Sequence, residues 1–492
     1  MKLQKSKYKI LFVMNSPHAF NSNGIPNDNW LEFPMQLAKA GYSVSVFQPY
    51  FSDAVKYKNK ITDINIGFTH NFSGNDYNGR FLKTNICEGL DIIFLKNDFL
   101  FTSLSDYLHC YYSNNYEIAL RLSVLSHAVF LYMKLADDVY DFLNCVGWEA
   151  GLVPALHKKV YCNEPIYQKI HTIFSVYSFM KQGNFDPAIY PVTGLSWASF
   201  NLYEMEFWGK FSFMKGGVVF SDALVYMGSF EIEKFFSPRY AFGLEGIIEN
   251  KKNSFSGIPL GANLENWEPS NDKIIKENYS LKDIKAKKNN KDFFLNKYKI
   301  NHGSNKLLIG VIGSLEYYNQ DKHLNNVIDV FSELEVTFVV AGKINTQIIK
   351  GFSNYKTKFS NNIVCIQEYD EIFIHLLMAS ADIIVIPSTS QKYPLSHLYA
   401  LKYGVLPIVS DVFGTMEGIE SFNVKNTQGN GLIFSNNTAT SLLAKVISAI
   451  NILNNDSTKE VLIRNAMKSH FTWIAPGFMF IKILNSLKKS KI

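Results

Sequence analysis

A few loops that follow short apolar stretches carry the groups in this chain able to do chemistry. In residues 381–410, ADIIVIPSTSQKYPLSHLYALKYGVLPIVS, a buried-strand pattern gives way to a polar loop and then to a helix. Backbone N–H groups at a helix start bind phosphate, because the first turn has no carbonyl partners for them. Leu395 and Ser396 are therefore candidate phosphate donors, and His397 on the same turn can touch the anion or simply cap the helix. The loop before them offers Gln391, an uncharged hydrogen-bonding amide, and Tyr393 beside it. Pro394 has no N–H to give, although proline suits a first helical position. Upstream, Gly313 and Ser314 end the apolar run NKLLIGVIG, and Lys322 follows beside Asp321 as a phosphate cation or a solvated pair. Tyr369 follows another apolar run, where a ring either stacks on a base or packs. MKGG, with Lys215, Gly216 and Gly217, is a weak phosphate-loop signal, and Glu149 beside Trp148 offers one acceptor-side carboxylate.

These loops need a frame, and the frame repeats. YKILFVMNS, a Gly/Asn/Pro loop, NWLEFPMQLAKAG and YSVSVFQPY read as strand, loop, amphipathic helix and strand. The same grammar restarts near residue 306 with NKLLIGVIGSL, HLNNVIDVFSELE and VTFVVAG. Short all-apolar strands alternating with helices predict a doubly wound parallel sheet in each half. Ligands of such sheets sit beyond the carboxyl ends of the strands. The expected division is 1–265, a linker over 266–305, 306–470, and a final helix over 471–492 that crosses back to the first domain.

Bulk numbers fit that division. A chain of 492 residues exceeds one hydrophobic core, and 47% hydrophobic with 19% charged residues describes an ordinary folded protein. Much of the net charge of +6 lies in NDKIIKENYSLKDIKAKKNNKDFFLNKYKI, which reads as a solvated linker, so no nucleic-acid partner is expected. The apolar run ILFVM is too short for a signal peptide. IALRLSVLSHAVFLYMKLADDV carries Arg121, His127 and Lys134, so no membrane segment is expected. Five scattered cysteines without a CxxC pair read as reduced thiols of a cytoplasmic protein and offer no zinc site.

Five segments in register resemble one family. GWEAGLVPAL, KFSFMKGGVVFSDALVYMGSFEIEKFF, YAFGLEGIIENKKNSFSGIPLGANLENWEPSND, the 381–414 stretch and HFTWIAPGFMFIKILNSL are similar to bacterial glycogen synthases and plant starch synthases. The resemblance implies the GT-B fold, two Rossmann-like domains with parallel sheets facing across a cleft. It implies transfer of a hexose, with retention, from a nucleotide-sugar (ADP- or UDP-linked) to a glycan acceptor, with no metal. Nucleotide contacts are then expected at Gly313, Ser314, Lys322, Tyr369, Leu395, Ser396 and His397. Sugar and acceptor contacts are expected at Asn23, Gly24, Trp148, Glu149, Phe174, Ser175, Lys215, Gln391 and Tyr393, with Gln391 and Lys322 as the residual catalytic pair.

The same correspondence shows how much is replaced. Asn21 stands where the family's glycine-loop lysine belongs, Ser314 stands for an arginine, and Gln391 stands for a glutamate. The family's HDWH stretch becomes Val146, Gly147, Trp148 and Glu149, and a His-Asn pair becomes Phe174 and Ser175. Each charge-assisted hydrogen bond to phosphate is worth about 1.5–3 kcal/mol. Two lost cations remove roughly 3–6 kcal/mol, or about two to four decades in binding or rate. Three readings follow: a diverged glycosyltransferase, a catalytically inactive relative that binds glucan or a protein partner, and a true ADP-glucose glycogen synthase with compensating residues.

Overall fold

The structure is a computed structural model that describes residues 8–14, 28–53, 61–72, 74–113, 115–228, 232–262, 266–300, 306–312, 330–331, 333–341, 363–366, 370–386, 395–411, 418–435 and 438–489. These residues form two compact units, one from 8–259 together with 473–489, the other from 260–472.

The first unit opens with β1 (Lys9–Met14), α1 (Asp28–Lys39), β2 (Ser43–Pro49), β3 (Thr62–Phe72), β4 (Asn75–Cys87), β5 (Leu90–Lys96), α2 (Leu104–Ser113), α3 (Asn115–Leu135) and β6 (Phe142–Val146). It continues through α4 (Leu152–Leu156), β7 (His171–Val176), β8 (Asn184–Phe185), β9 (Glu206–Phe207), β10 (Lys210–Ser212), α5 (Phe213–Phe220), β11 (Ala223–Met227), α6 (Pro238–Ala241), α7 (Glu245–Asn250) and β12 (Phe255–Ile258). The sheet order is β12-β11-β7-β6-β1-β2-β5-β4-β3. Its strands run parallel from β12 to β5, and β4 and β3 add an antiparallel edge. Strands β1 and β6 are buried almost throughout, as their apolar sequences require when both sheet faces are covered. The chain moves outward from β1 to β2 on one side and returns to β6 on the other, which puts the topological switch between β1 and β6.

Helix α3 is apolar enough to span a membrane by length and composition, yet 78% of its apolar window is buried inside the unit. A helix apolar on all sides is a core helix when the domain surrounds it. Its one guanidinium, Arg121, is buried but paired with Asp106 at 2.7 Å and with Glu117.

The second unit contains α8 (Ala286–Lys297), β13 (Leu308–Ile312), β14 (Thr337–Ala341), β15 (Ile363–Ile366), α9 (Glu371–Ser380), β16 (Ile383–Ile386), α10 (Ser396–Lys402), β17 (Leu406–Ser410), β18 (Leu432–Phe434), α11 (Ala439–Leu453) and α12 (Asp456–Met467). Its strands are all parallel in the order β15-β14-β13-β16-β17-β18, with the switch between β13 and β16.

The Lys/Asn-rich stretch corrects the reading of a solvated linker. Trp267, Ile275, Tyr279, Ala286, Phe294 and Leu295 are buried, and residues 266–300 belong to the second unit. Two of its lysines, Lys287 and Lys291, are used inside. Lys291 Nζ donates to Asp382 Oδ2 at 2.7 Å and to the Lys306 carbonyl at 2.6 Å. Lys287 Nζ donates to the carbonyls of Met378, Ala379 and Tyr403, at the ends of α9 and α10. Burial drives its pKa down to about 7 against the pull of Asp382. Three carbonyl acceptors, which only an ammonium satisfies in full, hold the proton on. Composition gave the wrong impression because the ammonium groups of Lys287 and Lys291 reach helix ends or a carboxylate, not water.

The final helix, α13 (Ile474–Lys489), packs in the first unit. Phe480 lies 5.3 Å from Phe33 and 6.1 Å from Phe12 between ring centroids. Tyr8 donates to Asn485 at 2.8 Å, and Lys488 pairs with Asp141 at 2.8 Å.

Candidate functional site

In the second unit the chain leaves β16 at Ile386, on the carboxyl side of the switch, and re-enters helix at α10. Leu395 is the N-cap residue, and its carbonyl accepts from Leu398 N at 2.9 Å and Tyr399 N at 3.1 Å. Leu395, Ser396 and His397 are all buried, His397 completely. A wholly buried imidazole is part of the packing that fixes the helix start. Gly313, Ser314, Lys322, Tyr369, Gln391 and Tyr393 lie outside the described residues, as do Asn23 and Gly24.

What holds α10 in place was missed in the sequence. Trp267, 1% exposed, is sandwiched between His375 (3.7 Å, 18°) and Tyr399 (4.2 Å, 17°). Asp272 Oδ2 accepts from His375 Nδ1 at 2.8 Å and from the Tyr403 hydroxyl, and Oδ1 accepts from Ile274 N at 2.8 Å. A carboxylate only accepts, so Nδ1 carries the imidazole proton. Burial pushes the Asp272 carboxyl up, but the hydrogen bonds from His375 and Tyr403 outweigh it and hold its pKa below the usual range. Lys402, at the far end of α10, pairs with Glu268 at 3.1 Å. The one available signal was that Trp267 and Asp272 stand in the NWEPSND segment; nothing pointed to His375 or Tyr403.

In the first unit the acceptor-side candidates separate into two groups. Trp148 and Glu149 sit just past β6, at the switch. The Trp148 ring lies 5.6 Å from Tyr111 and 6.2 Å from Phe185. Glu149 Oε1 accepts from the Tyr111 hydroxyl at 2.7 Å. Gly147 takes φ +77° there, and a Cβ on it would stand 2.5 Å from Glu149 Oε2. The turn therefore needs glycine on two counts.

The second group is corrected. Phe174 is fully buried in β7, and a Cβ on Gly217 would lie 2.5–2.6 Å from its ring. Gly217 thus serves close packing of α5 on β7, and Gly216 lets Met205 approach, its Sδ standing 2.7 Å from where a Cβ would be. Ser175 is buried and donates to Asn144 Oδ1 at 2.7 Å. Lys215 is 3% exposed, and its Nζ donates to the carbonyls of Leu202 and Glu206. Burial lowers its pKa, with Glu206 opposing. It ties the 202–206 turn to α5. Lys215→Met is expected to cost about 1–3 kcal/mol by stranding these carbonyls, and to leave nucleotide affinity unchanged. Denaturant melts and titration calorimetry on the same variant check both parts.

Among the described residues, Asp106, Cys110 and Glu117 form one metal-sized cluster, with ligand atoms within 4.8 Å of one another. The Arg121 guanidinium already pairs with both carboxylates and supplies the cation there.

Comparison with known proteins follows the same geometry. Residues 28–250 match the starch synthase catalytic domain, and residues 292–469 match glycosyl transferases group 1. The glycogen synthase of Clostridium botulinum (strain Alaska E43 / Type E3) is 26% identical over 487 residues, covering 97% of this chain and 99% of that protein. The chain belongs to the glycogen and starch synthase family of GT-B glycosyltransferases. A second family member, the glycogen synthase of Pseudothermotoga lettingae, is 24% identical over 464 residues, covering 93% of this chain and 94% of that one. The fold agrees with the catalytic domain of starch synthase IV from Arabidopsis thaliana bound to ADP and acarbose. The TM-score is 0.82 at 17% identity, over 98% of this chain and 99% of that one. Ile386, at the end of β16, and the turn after β6 stand at the sheet switches, where such folds hold ligands.

Proposed function

We propose that this chain is a diverged family glycosyltransferase that moves a hexosyl group, with retention, from an ADP- or UDP-linked sugar to a glycan. The unit of residues 8–259 with 473–489 takes the acceptor and the unit of residues 260–472 takes the nucleotide-sugar; the reaction is cytoplasmic and needs no metal. One observation carries the reading: the strand–loop–helix frame from β16 to α10 stands at the second unit's switch with its helix start rigidly packed. Amides at Leu395 and Ser396, with Lys322, serve the leaving diphosphate. Tyr369 stacks on the base, because stacking needs only a ring and a slot. Gln391 holds a sugar hydroxyl.

Titration calorimetry tests this with ADP and UDP. At least one is expected to bind at millimolar or tighter affinity and to weaken on Tyr369→Ala and on Lys322→Ala. No binding of either at millimolar concentration would transfer support to a second reading, an inactive relative that binds glucan or a protein partner. The interior commitment of Phe174, Ser175 and Lys215 favours that alternative.

A further inference from the structure

At the amino ends of β13, β16 and β17 the second unit forms a pocket of ≈ 720 Å³ that is open to solvent. This is the end of the sheet away from the start of α10, and none of the proposed donor contacts lines it. The two ends are about 15 Å apart, the length of a short strand. The volume lies within the range of small-molecule sites, roughly 300–1,000 Å³.

Its wall is two-sided in character. Leu453, Leu462 and Ile463, from α11 and α12, form an apolar face. Opposite them, five lysines stand against the three carboxylates of Glu277, Asp283 and Asp382. Asp382 is consumed: it accepts from Leu308 N at 2.9 Å and from Lys291 at 2.7 Å, and Lys459 lies 3.5 Å away. Glu277 accepts from the Asn289 amide at 2.7 Å. Lys285 and Lys288 stand exposed at the rim, and no acid is paired with either among the described residues. A purely solvated lysine face would need no apolar wall, and a purely apolar cavity would not be ringed by ammonium groups.

We propose that this cavity binds a small phosphomonoester. Lys285, Lys288 and Lys459 hold the phosphate, and Leu453, Leu462 and Ile463 take its organic body. A phosphate monoester carries about two negative charges at neutral pH, which matches the surplus of lysines over carboxylates. The site does not depend on the proposed transferase activity, and a ligand there does not compete with a nucleotide at the carboxyl ends.

The test is calorimetry on the full chain in saturating ADP, with glucose 1-phosphate, glucose 6-phosphate, AMP and inorganic phosphate as separate probes. At least one organic phosphate is expected to bind below about 1 mM, tighter than inorganic phosphate, and the preferred probe tells a sugar phosphate from a nucleotide. Removing two charge-assisted contacts in Lys285→Ala/Lys288→Ala should weaken it at least about tenfold. Ile463→Trp, which fills the cavity from the apolar side, should abolish it, with melting curves confirming that both variants fold. Absence of organic-phosphate binding below about 5 mM would overturn the proposal. So would equal affinity for inorganic phosphate, meaning an adventitious ion only, or affinity unchanged in both variants.

Discussion

Glycogen supplied with ADP-glucose and this protein is expected to gain glucose at least about a hundredfold more slowly than with an intact family member. The reason is the charge that must be met when the nucleoside diphosphate leaves. The resemblance implies that Asn21 and Ser314 stand in the places of a lysine and an arginine, and on that reading two charge-assisted hydrogen bonds are missing in the transition state. At about 1.5–3 kcal/mol each, their absence amounts to roughly 3–6 kcal/mol, and its lower end is about two decades in rate. Lys215 adds no replacement, because its Nζ is spent on the Leu202 and Glu206 carbonyls. Radiolabel incorporation into glycogen measures the rate. Rates typical of the family would mean that compensating residues exist and that the chain is a true ADP-glucose glycogen synthase. Restoring charge offers a second arm: if lost cations set the rate, Asn21→Lys/Ser314→Arg should raise it at least about tenfold, since each bond recovered is worth about a decade or more.

How far the sequence carried the structure depended on which physical signal each segment displayed. The strands β1, β13 and β16 were readable because strands covered on both faces must be apolar along their length, and these are. The Lys/Asn-rich stretch was unreadable as core because composition treats every lysine as solvated. Lys287 and Lys291 become interior groups only through the carbonyls of α9 and α10 and through Asp382, some 91 residues or more away. The site divides along the same line. Glu149 and Trp148 were legible from their place after a strand. Lys215 and Phe174 were chosen by register alone, and register does not say which way a side chain points. The Gly217 contact with the Phe174 ring is what decides it. The cluster of Asp272, His375 and Tyr403 left almost no trace, since its members are 103 and 131 residues apart.

That cluster is where the largest loss of stability is expected. Asp272→Ala removes the acceptor of both the His375 Nδ1–H and the Tyr403 hydroxyl, side chains buried beneath the Trp267 stack. Deleting a buried acceptor costs about 1–3 kcal/mol for each donor left desolvated and unmet, and two donors are stranded here. The body and carboxyl end of α10 are packed on this cluster through Tyr399 and Tyr403, so nucleotide affinity at its start should fall along with stability. The pH dependence has a definite sign. The folded-state pKa of Asp272 is depressed, so its contribution is complete above the unfolded carboxylate value, about 3.9. It is lost as pH falls through the folded value. Asp272→Asn keeps an acceptor but cannot titrate. Its stability should be lower at pH 7 and should change less than the parent's between pH 5 and the acid limit. Because the chain has two units, calorimetric scans are needed to follow the second unit's transition apart from the first. A loss below about 1 kcal/mol in Asp272→Ala, or parallel acid profiles for parent and Asp272→Asn, would show that the carboxylate is no keystone of this unit.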